Sequence, residues 1–309
     1  MYVKGHTYRS FLLFVGPPLL VYGVFCFYPT VAGIAGAFTE WDGYSQSQRF
    51  TGLANFRKMA SDDVFWTALQ NNLFLVAVPG ILMLALGLYL AAALRDERTP
   101  GRSVFQFAYL FPNILAGVVV ATLWSFVYSP SFGVVKGILE AAAGALRFAH
   151  LDSLASCLGL RELAGQAWLE PQYFMRALVP MLVWAGAGFF VVLFLAGMQN
   201  IPRELYEAAR LDGASEWQVF RHVTWPGLSP ITVAAVTFAI IGGMKTFDCI
   251  WVMTQQHVPD RNQVLGTYVY QQAFAEARMG YGTAVALVLL VITMGFVLLA
   301  QRVLTREKP

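Results

Sequence analysis

Long stretches of this chain carry no Asp, Glu, Lys or Arg, and their apolar residues run on without the strict alternation of a half-buried strand. Six such runs stand out, at 10–39, 64–94, 103–135, 177–202, 222–244 and 279–301. Each exceeds the roughly 18–20 residues that an α-helix needs to cross a hydrocarbon core of about 30 Å. Lipid offers no hydrogen-bond partners, so a spanning segment must satisfy its own backbone, and a continuous apolar run does so as a helix. The pattern predicts an all-α, polytopic membrane protein with six transmembrane helices. They form one transmembrane domain over 1–309, with spans at about 11–38, 67–94, 104–129, 177–199, 226–251 and 281–302. The stretch 262–275 is uncharged but short and polar (Asn262, Gln263, Gln271, Gln272), and reads as a surface helix or loop.

Composition agrees. Of 309 residues 57% are hydrophobic and 13% charged, about half the roughly 25% charge of a soluble domain. That excludes an ordinary soluble enzyme, a disordered segment and a disulfide-stapled scaffold. Cys26, Cys157 and Cys249 are an odd set and read as small buried hydrophobes. The net charge of +3 makes no basic stripe, so no nucleic-acid partner is expected. His6, His150, His222 and His257 are scattered, which predicts no metal site, and no acidic or His cluster suggests catalysis.

Basic residues beside the spans set the orientation. Lys4 and Arg9, then Arg95, Arg98 and Arg102, then Arg203, Arg210 and Arg221, then Arg302, Arg306 and Lys308 fall in short segments that alternate with longer loops. The positive-inside rule places those segments, and both termini, in the cytoplasm. A cleaved signal peptide is the alternative for the first span, because Ala32, Gly33, Ala35, Gly36 and Ala37 follow it. Against this, the run is longer than a signal core and holds Pro17 and Pro18. The outer loops are then 40–63, about 136–176 and about 250–278, the middle one long enough for short helices around 134–146 and 155–166.

Charge returns densely in one cytoplasmic segment, 200–225. Pro202 near a helix start, Glu204 in the first turn and Arg210 late suit helix-end preferences. Arg203 and Glu207 (i,i+4) and Glu207 and Arg210 (i,i+3) are spaced to pair. Gly213 suits a C-terminal cap, and Ser215 with Gln218 makes a capping box for a second helix ending before Pro226. Ala208, Ala209 and Gly213 leave one side of the first helix nearly bare, as a groove on another protein would require. An amphipathic helix resting on lipid is the other reading, although such a helix usually carries more Lys and Arg.

Glu207-Ala208-Ala209, three residues, Gly213, nine residues, then Val223-Thr224-Trp225-Pro226 resembles the EAA loop of ABC-importer permeases, with Val223 and Trp225 in place of the usual Ile and Leu. The wider string from Ile201 to Gln218 resembles the carbohydrate-uptake branch, of maltose and glycerol-phosphate permease type. Gly52-Leu-Ala-Asn-Phe, Asn71-Asn72, Phe247-Asp248 with Thr254, Asn262 to Tyr270, and Met279-Gly280-Tyr281 resemble the same family. The segment 131–172 is longer than the family pattern, and Gln255-Gln-His-Val-Pro departs from a usual Gly-Gly-Pro turn.

The resemblance implies a sugar-transport permease subunit in a bacterial or archaeal inner membrane. Its partners would be a second homologous permease, two cytoplasmic ATPases and an extracytoplasmic solute-binding protein that delivers a sugar, polyol or glycerol phosphate. It implies an EAA coupling helix docked in a cleft of the ATPase, with Glu207, Ala208, Ala209, Arg210, Asp212, Gly213 and Pro226 as the coupling residues. The chain has no G-x-x-x-x-G-K-[ST] string, so it is expected to hold no cofactor, with ATP and Mg on the partner ATPase.

A solute path needs polar and aromatic groups at membrane depth. The candidates are Asn71, Asn72, Asn113, Trp124, Lys245, Phe247 and Asp248, with Thr246, Trp184 and Trp251 beside them. Lys245 and Asp248, at i,i+3, could neutralise each other on one helix face, either on the path or as a structural pair near the interface. The aromatic residues could equally pack or meet headgroups. An ion-gradient-driven secondary transporter would predict carboxylates in mid-span, which the six runs lack, and an internal repeat. A membrane-embedded transferase would need acidic or His groups clustered at one membrane face.

Overall fold

The computed structural model describes residues 4–45, 48–95, 101–148, 151, 153, 156 and 158–305; Arg98, His150, Cys157, Arg306 and Lys308 lie outside them. Helix α1 (Lys4–Tyr22) passes through a π-turn (Gly23–Phe27) into α2 (Tyr28–Gly36). The two-residue strands β1 (Thr39–Glu40) and β2 (Arg49–Phe50) pair antiparallel, the one departure from all-α among the described residues. Then come α3 (Ala54–Ala60), α4 (Asp63–Ala93), α5 (Arg102–Ile114), α6 (Gly117–Val127), α7 (Val134–Phe148), α8 (Leu160–Ala164) and α9 (Phe174–Gln199). The rest is α10 (Arg203–Leu211), α11 (Glu216–Val219), α12 (Trp225–Gly227), α13 (Ser229–Met244), α14 (Asp248–Met253), α15 (Leu265–Tyr270) and α16 (Met279–Thr305).

Five segments are long and apolar enough to cross a membrane: Leu13–Gly36, Asp63–Ala93, Phe174–Gln199, Ser229–Met253 and Met279–Thr305. The third predicted span is not one straight helix. It is the pair α5 and α6, bent by 101°. Pro112 removes a backbone donor in the last turn of α5, and Leu115 and Ala116 are extended, so the ladder stops and restarts. The fifth span is also interrupted, at Lys245–Phe247, and it runs to Met253. Two of the π-turns, Gly23–Phe27 and Phe220–Thr224, end two residues before Pro29 and Pro226. A wider turn relieves the clash of a proline ring with the carbonyl four residues back, so the helical backbone continues past Pro226 rather than ending before it.

The chain divides into two compact units. The first comprises Met1–Phe65 and Tyr268–Val291. Here the Gly52-Leu-Ala-Asn-Phe segment has a structural duty. Gly52 takes φ +59°, and Asn55 Nδ2 donates to the carbonyls of Ala37 (2.9 Å) and Thr39 (3.0 Å). Asp62 caps the start of α4, accepting from the N–H groups of Val64 (3.0 Å) and Phe65 (3.2 Å), while its other oxygen accepts from the hydroxyls of Tyr268 and Tyr281, both at 2.5 Å. Burial of the Asp62 carboxyl pushes its pKa up, but the two tyrosines and the two N–H groups outweigh that and hold it below the usual carboxylate value. Cys26 is exposed rather than buried, because the apolar side chains of the first span face outward from this chain.

The second unit comprises Trp66–Thr267 and Ile292–Pro309. Its centre is α9, which packs on α5, α6 and α13. Gly188 permits the crossing, since a Cβ there would collide with the carbonyl oxygen of Tyr109 on α5. Segment 262–267, predicted at the surface, is buried almost throughout: Asn262 and Gln263 are 1% exposed and Val264, Leu265 and Thr267 0%. Its polar backbone is satisfied from within. Asn71 Nδ2 donates to the carbonyls of Arg261 (2.9 Å) and Gln263 (2.8 Å), and Asn72 Oδ1 accepts from the Leu265 N–H (2.7 Å). The sequence rule mistook satisfied polar groups for solvated ones.

Candidate functional site: a cavity between broken helices and a capped helix–turn–helix

The breaks in α5–α6 and α13–α14 face one another across a cavity of about 410 Å³ in the second unit. Asn113, Leu115 and Gly117 line it from the first break, and Lys245, Thr246, Phe247 and Asp248 from the second. Phe189 of α9, Phe238 of α13 and Met83 of α4 complete apolar walls. A Cβ on Gly117 would lie 3.7 Å from the Asp248 carboxylate, so the two breaks touch. Non-helical backbone at membrane depth is tolerated where it lines such a cavity.

The predicted path residues divide. Asn113, Lys245, Phe247 and Asp248 come together on the wall. Asn72 does not join them. It is 0% exposed, and its amide donates to the carbonyls of Gly243 (3.1 Å) and Met244 (3.2 Å), satisfying the buried C-terminal end of α13 where the ladder stops. Trp124 also stands apart, its ring 5.9 Å from Trp184 and 5.3 Å from Tyr128, with a buried Nε1 that has no hydrogen-bond partner among the described residues. Lys245 and Asp248 do not share a helix face. Lys245 ends α13 and Asp248 opens α14, because the Phe247 backbone (φ −137°, ψ −59°) breaks the helix between them. Both are exposed, and no ion pair joins them among the described residues. Phe247 stacks on Trp251 at 5.7 Å and 16°, leaving an aromatic face beside the two charges.

The first helix and the caps of the helix–turn–helix form as the sequence predicts, with one exchange of partner, while the second helix continues past Pro226. The N–H of Ala214 donates to the Ala209 carbonyl (3.0 Å) and that of Gly213 to the Arg210 carbonyl (3.1 Å), the Schellman arrangement that needs the left-handed backbone of Gly213 (φ +77°). Ser215 and Gln218 make the capping box. Arg210, however, pairs with Glu216 at 3.1 Å rather than Glu207, which ties the two helices across the turn and leaves Glu207 exposed beside Ala208 and Gly213. A Cβ at Gly213 would meet nothing within 4 Å, so its surroundings are open.

The opposite side of α10 holds a residue that sequence reasoning missed. Tyr206, immediately before Glu207, is 3% exposed and packs in a core with Phe194, Met198 and Ile201 from α9 and its end, Val219 of α11, and Leu228. Its hydroxyl accepts from Thr224 Oγ1 at 3.3 Å. The one signal was an aromatic residue at i,i+3 spacing from Ala209, which packs on the same core.

Apolar helices are broken around a largely apolar cavity with a few polar groups on its wall, and a capped helix pair is anchored in the core of the same helices. The chain belongs to the family of binding-protein-dependent transport system inner membrane components, which it matches over residues 13–307. It is 36% identical over 290 residues to a probable ABC transporter permease protein of Pyrococcus horikoshii, covering 93% of this chain and 92% of that one. It is 30% identical over 296 residues to the diacetylchitobiose uptake system permease protein NgcF of Streptomyces coelicolor (93% and 79% covered). It is 31% identical over 284 residues to the arabinooligosaccharides transport system permease protein AraP of Bacillus subtilis (91% and 84%). In fold it resembles a chain of a bacterial ABC transporter involved in the import of the acidic polysaccharide alginate, with a TM-score of 0.77 and 24% identity over 97% of each chain. A structure of a bacterial alginate ABC transporter in complex with an alginate pentasaccharide-bound periplasmic protein matches at a TM-score of 0.74.

The protein is therefore a multi-pass inner-membrane permease subunit of an ATP-driven ABC importer and is itself non-catalytic. Family membership sets aside the ion-gradient-driven alternative.

Proposed function

We propose that this permease carries a sugar or related polyol across the cytoplasmic membrane by alternating access. It acts as one half of a heterodimer with a second permease, as a single transmembrane domain of six spans in which α5 and α6 together make the third. Both termini and the loop 200–225 face the cytoplasm. A binding protein delivers the solute from outside, and two ATPases hold ATP and Mg. Helix α10 docks in the ATPase cleft through the exposed Glu207, Ala208 and Gly213, whereas Ala209, expected on the same bare side, packs inward against the Tyr206 core. Arg210 and Asp212 hold the turn, and Pro226 shapes the chain returning to the membrane.

One observation carries this reading: the cavity and the helix–turn–helix share the same two helices. Helix α9 lines the cavity at Ala185 and Phe189 and contributes Met198 to the core that holds Tyr206. Helix α13 lines the cavity at Phe238 and Gly242 and follows directly on the segment that holds Thr224. A displacement of α10 is thus delivered to two cavity walls by rigid elements, as coupling between two states requires. The carbohydrate assignment is supported by the solutes in the names of relatives such as NgcF and AraP. It also suits a wall that combines Asn113, Lys245 and Asp248 with the Phe247 ring, since sugars offer hydroxyls at the edge and an apolar face.

Thermal stabilisation of the cognate binding protein across a panel of carbohydrates, amino acids and oligopeptides tests the solute class. Stabilisation by at least one carbohydrate and by no amino acid or peptide is expected. The opposite pattern would overturn it.

A further inference from the structure

The side chain that anchors α10 is held at one ring face and at its hydroxyl, from the ends of two different chain segments that lead into the spans. On one side the Arg95 guanidinium lies over the Tyr206 ring, its Cζ 3.4 Å from the centroid. Arg95 stands two residues beyond the end of α4, the helix that lines the cavity at Leu75 and Met83. At the ring edge Thr224 donates to the Tyr206 hydroxyl from the π-turn that leads into α13. Arg95 has no carboxylate within 4.0 Å among the described residues, so the aromatic face is its contact.

We propose that Arg95 is a positioning residue for transport: stacked on Tyr206, it makes α4 follow the coupling helix, so that ATPase closure moves three cavity walls together. This rests on the coupling role of α10 given above. The chemistry suits a moving joint. A guanidinium over a ring is attracted to the whole face and can slide and turn in its plane without breaking, whereas a hydrogen bond such as Thr224 to Tyr206 fixes a direction. α9 runs into α10 through 200–202, and α13 follows α10 along the chain through α11, the π-turn and α12. The chain leaving α4 instead runs on to α5, so a side-chain contact must do the work there. Arg95 precedes α10 by more than 100 residues, and nothing in its sequence neighbourhood announces the contact.

The test uses the whole transport complex in proteoliposomes. Cys26, Cys157 and Cys249 are replaced, and an Ala185→Cys reporter is placed on the cavity wall. The labelling rate of the reporter by a membrane-impermeant maleimide is read with and without ATP and vanadate, alongside binding-protein-stimulated ATP hydrolysis. With Arg95 present, ATP and vanadate should change labelling at least fivefold. Arg95→Ala should lose most of that change while hydrolysis stays within twofold and the melting temperature is unchanged, and Arg95→Lys should restore part of it. An unaltered labelling response in Arg95→Ala overturns the proposal. So does a parallel fall in hydrolysis, labelling response and melting temperature, which would mark a structural residue only. Glu207→Lys separates the two levels: if it leaves hydrolysis and labelling normal, the coupling reading has failed, whatever Arg95 does.

Discussion

Asn72 shows why side-chain chemistry alone does not separate a solute ligand from a brace. A polar residue in mid-span must have a partner, and the partner is decided by tertiary contacts more than 170 positions away, at Gly243, Met244 and Leu265. Asn72→Ala would leave two carbonyls and one N–H buried and unpaired, at about 1–3 kcal/mol each. The expected result is a lowered melting temperature and poor recovery of the assembled complex, read by fluorescence-detected size exclusion. A stable complex that has lost solute recognition would instead make Asn72 a ligand. Asp62 gives a second residue-level expectation. Its folded pKa is lowered, so the stability it contributes is present above the unfolded value of about 3.9 and is lost as pH falls through the folded value. Asp62→Asn should therefore melt earlier than the parent at pH 7, with the gap narrowing below about pH 4.

At the scale of elements, the helix ends of the coupling segment were legible and the breaks inside the spans were not. Ser215, Gln218 and Gly213 act on neighbours within five positions, so their roles can be read from spacing. The 101° bend after Ile114 and the stop at Lys245 are set by local backbone conformation, with Leu115 and Ala116 extended and Phe247 off helical values, which spacing does not register. Hydropathy registers only that Pro112 and Lys245 are tolerated. Even Arg210 took a partner on the next helix, Glu216, over one on its own. Because Gly213 holds φ +77° in open space, Gly213→Val strains the backbone without a steric clash. A loss of about 1 kcal/mol or more in the turn is expected. Stimulated ATP hydrolysis should fall more than tenfold while the spans still insert, as checked by membrane fractionation and an ATPase assay on the purified complex.

At the scale of the whole molecule, low charge identifies the solvent, and the place where charge returns marks the segment proposed to couple the chain to its ATPase. Among the described residues no group of three or more His, Cys, Asp or Glu could hold a metal ion, and the polar groups that matter are spent on caps, breaks and one cavity. The chain belongs to an importer family, and under the proposed function energy enters through a separate ATPase subunit. Carbonate-washed membranes should retain this chain, and its purification under mild detergent should bring an ATPase and a second permease in fixed ratio.

The central claim is that ATPase movement reaches the cavity through α10. It is tested most directly by binding-protein-stimulated ATP hydrolysis of the assembled complex carrying Glu207→Lys, a reversal of charge at an exposed position that leaves the Tyr206 anchor and the Arg210–Glu216 pair in place. The predicted result is normal assembly with stimulation abolished. Stimulation equal to that of the parent complex would contradict the assignment.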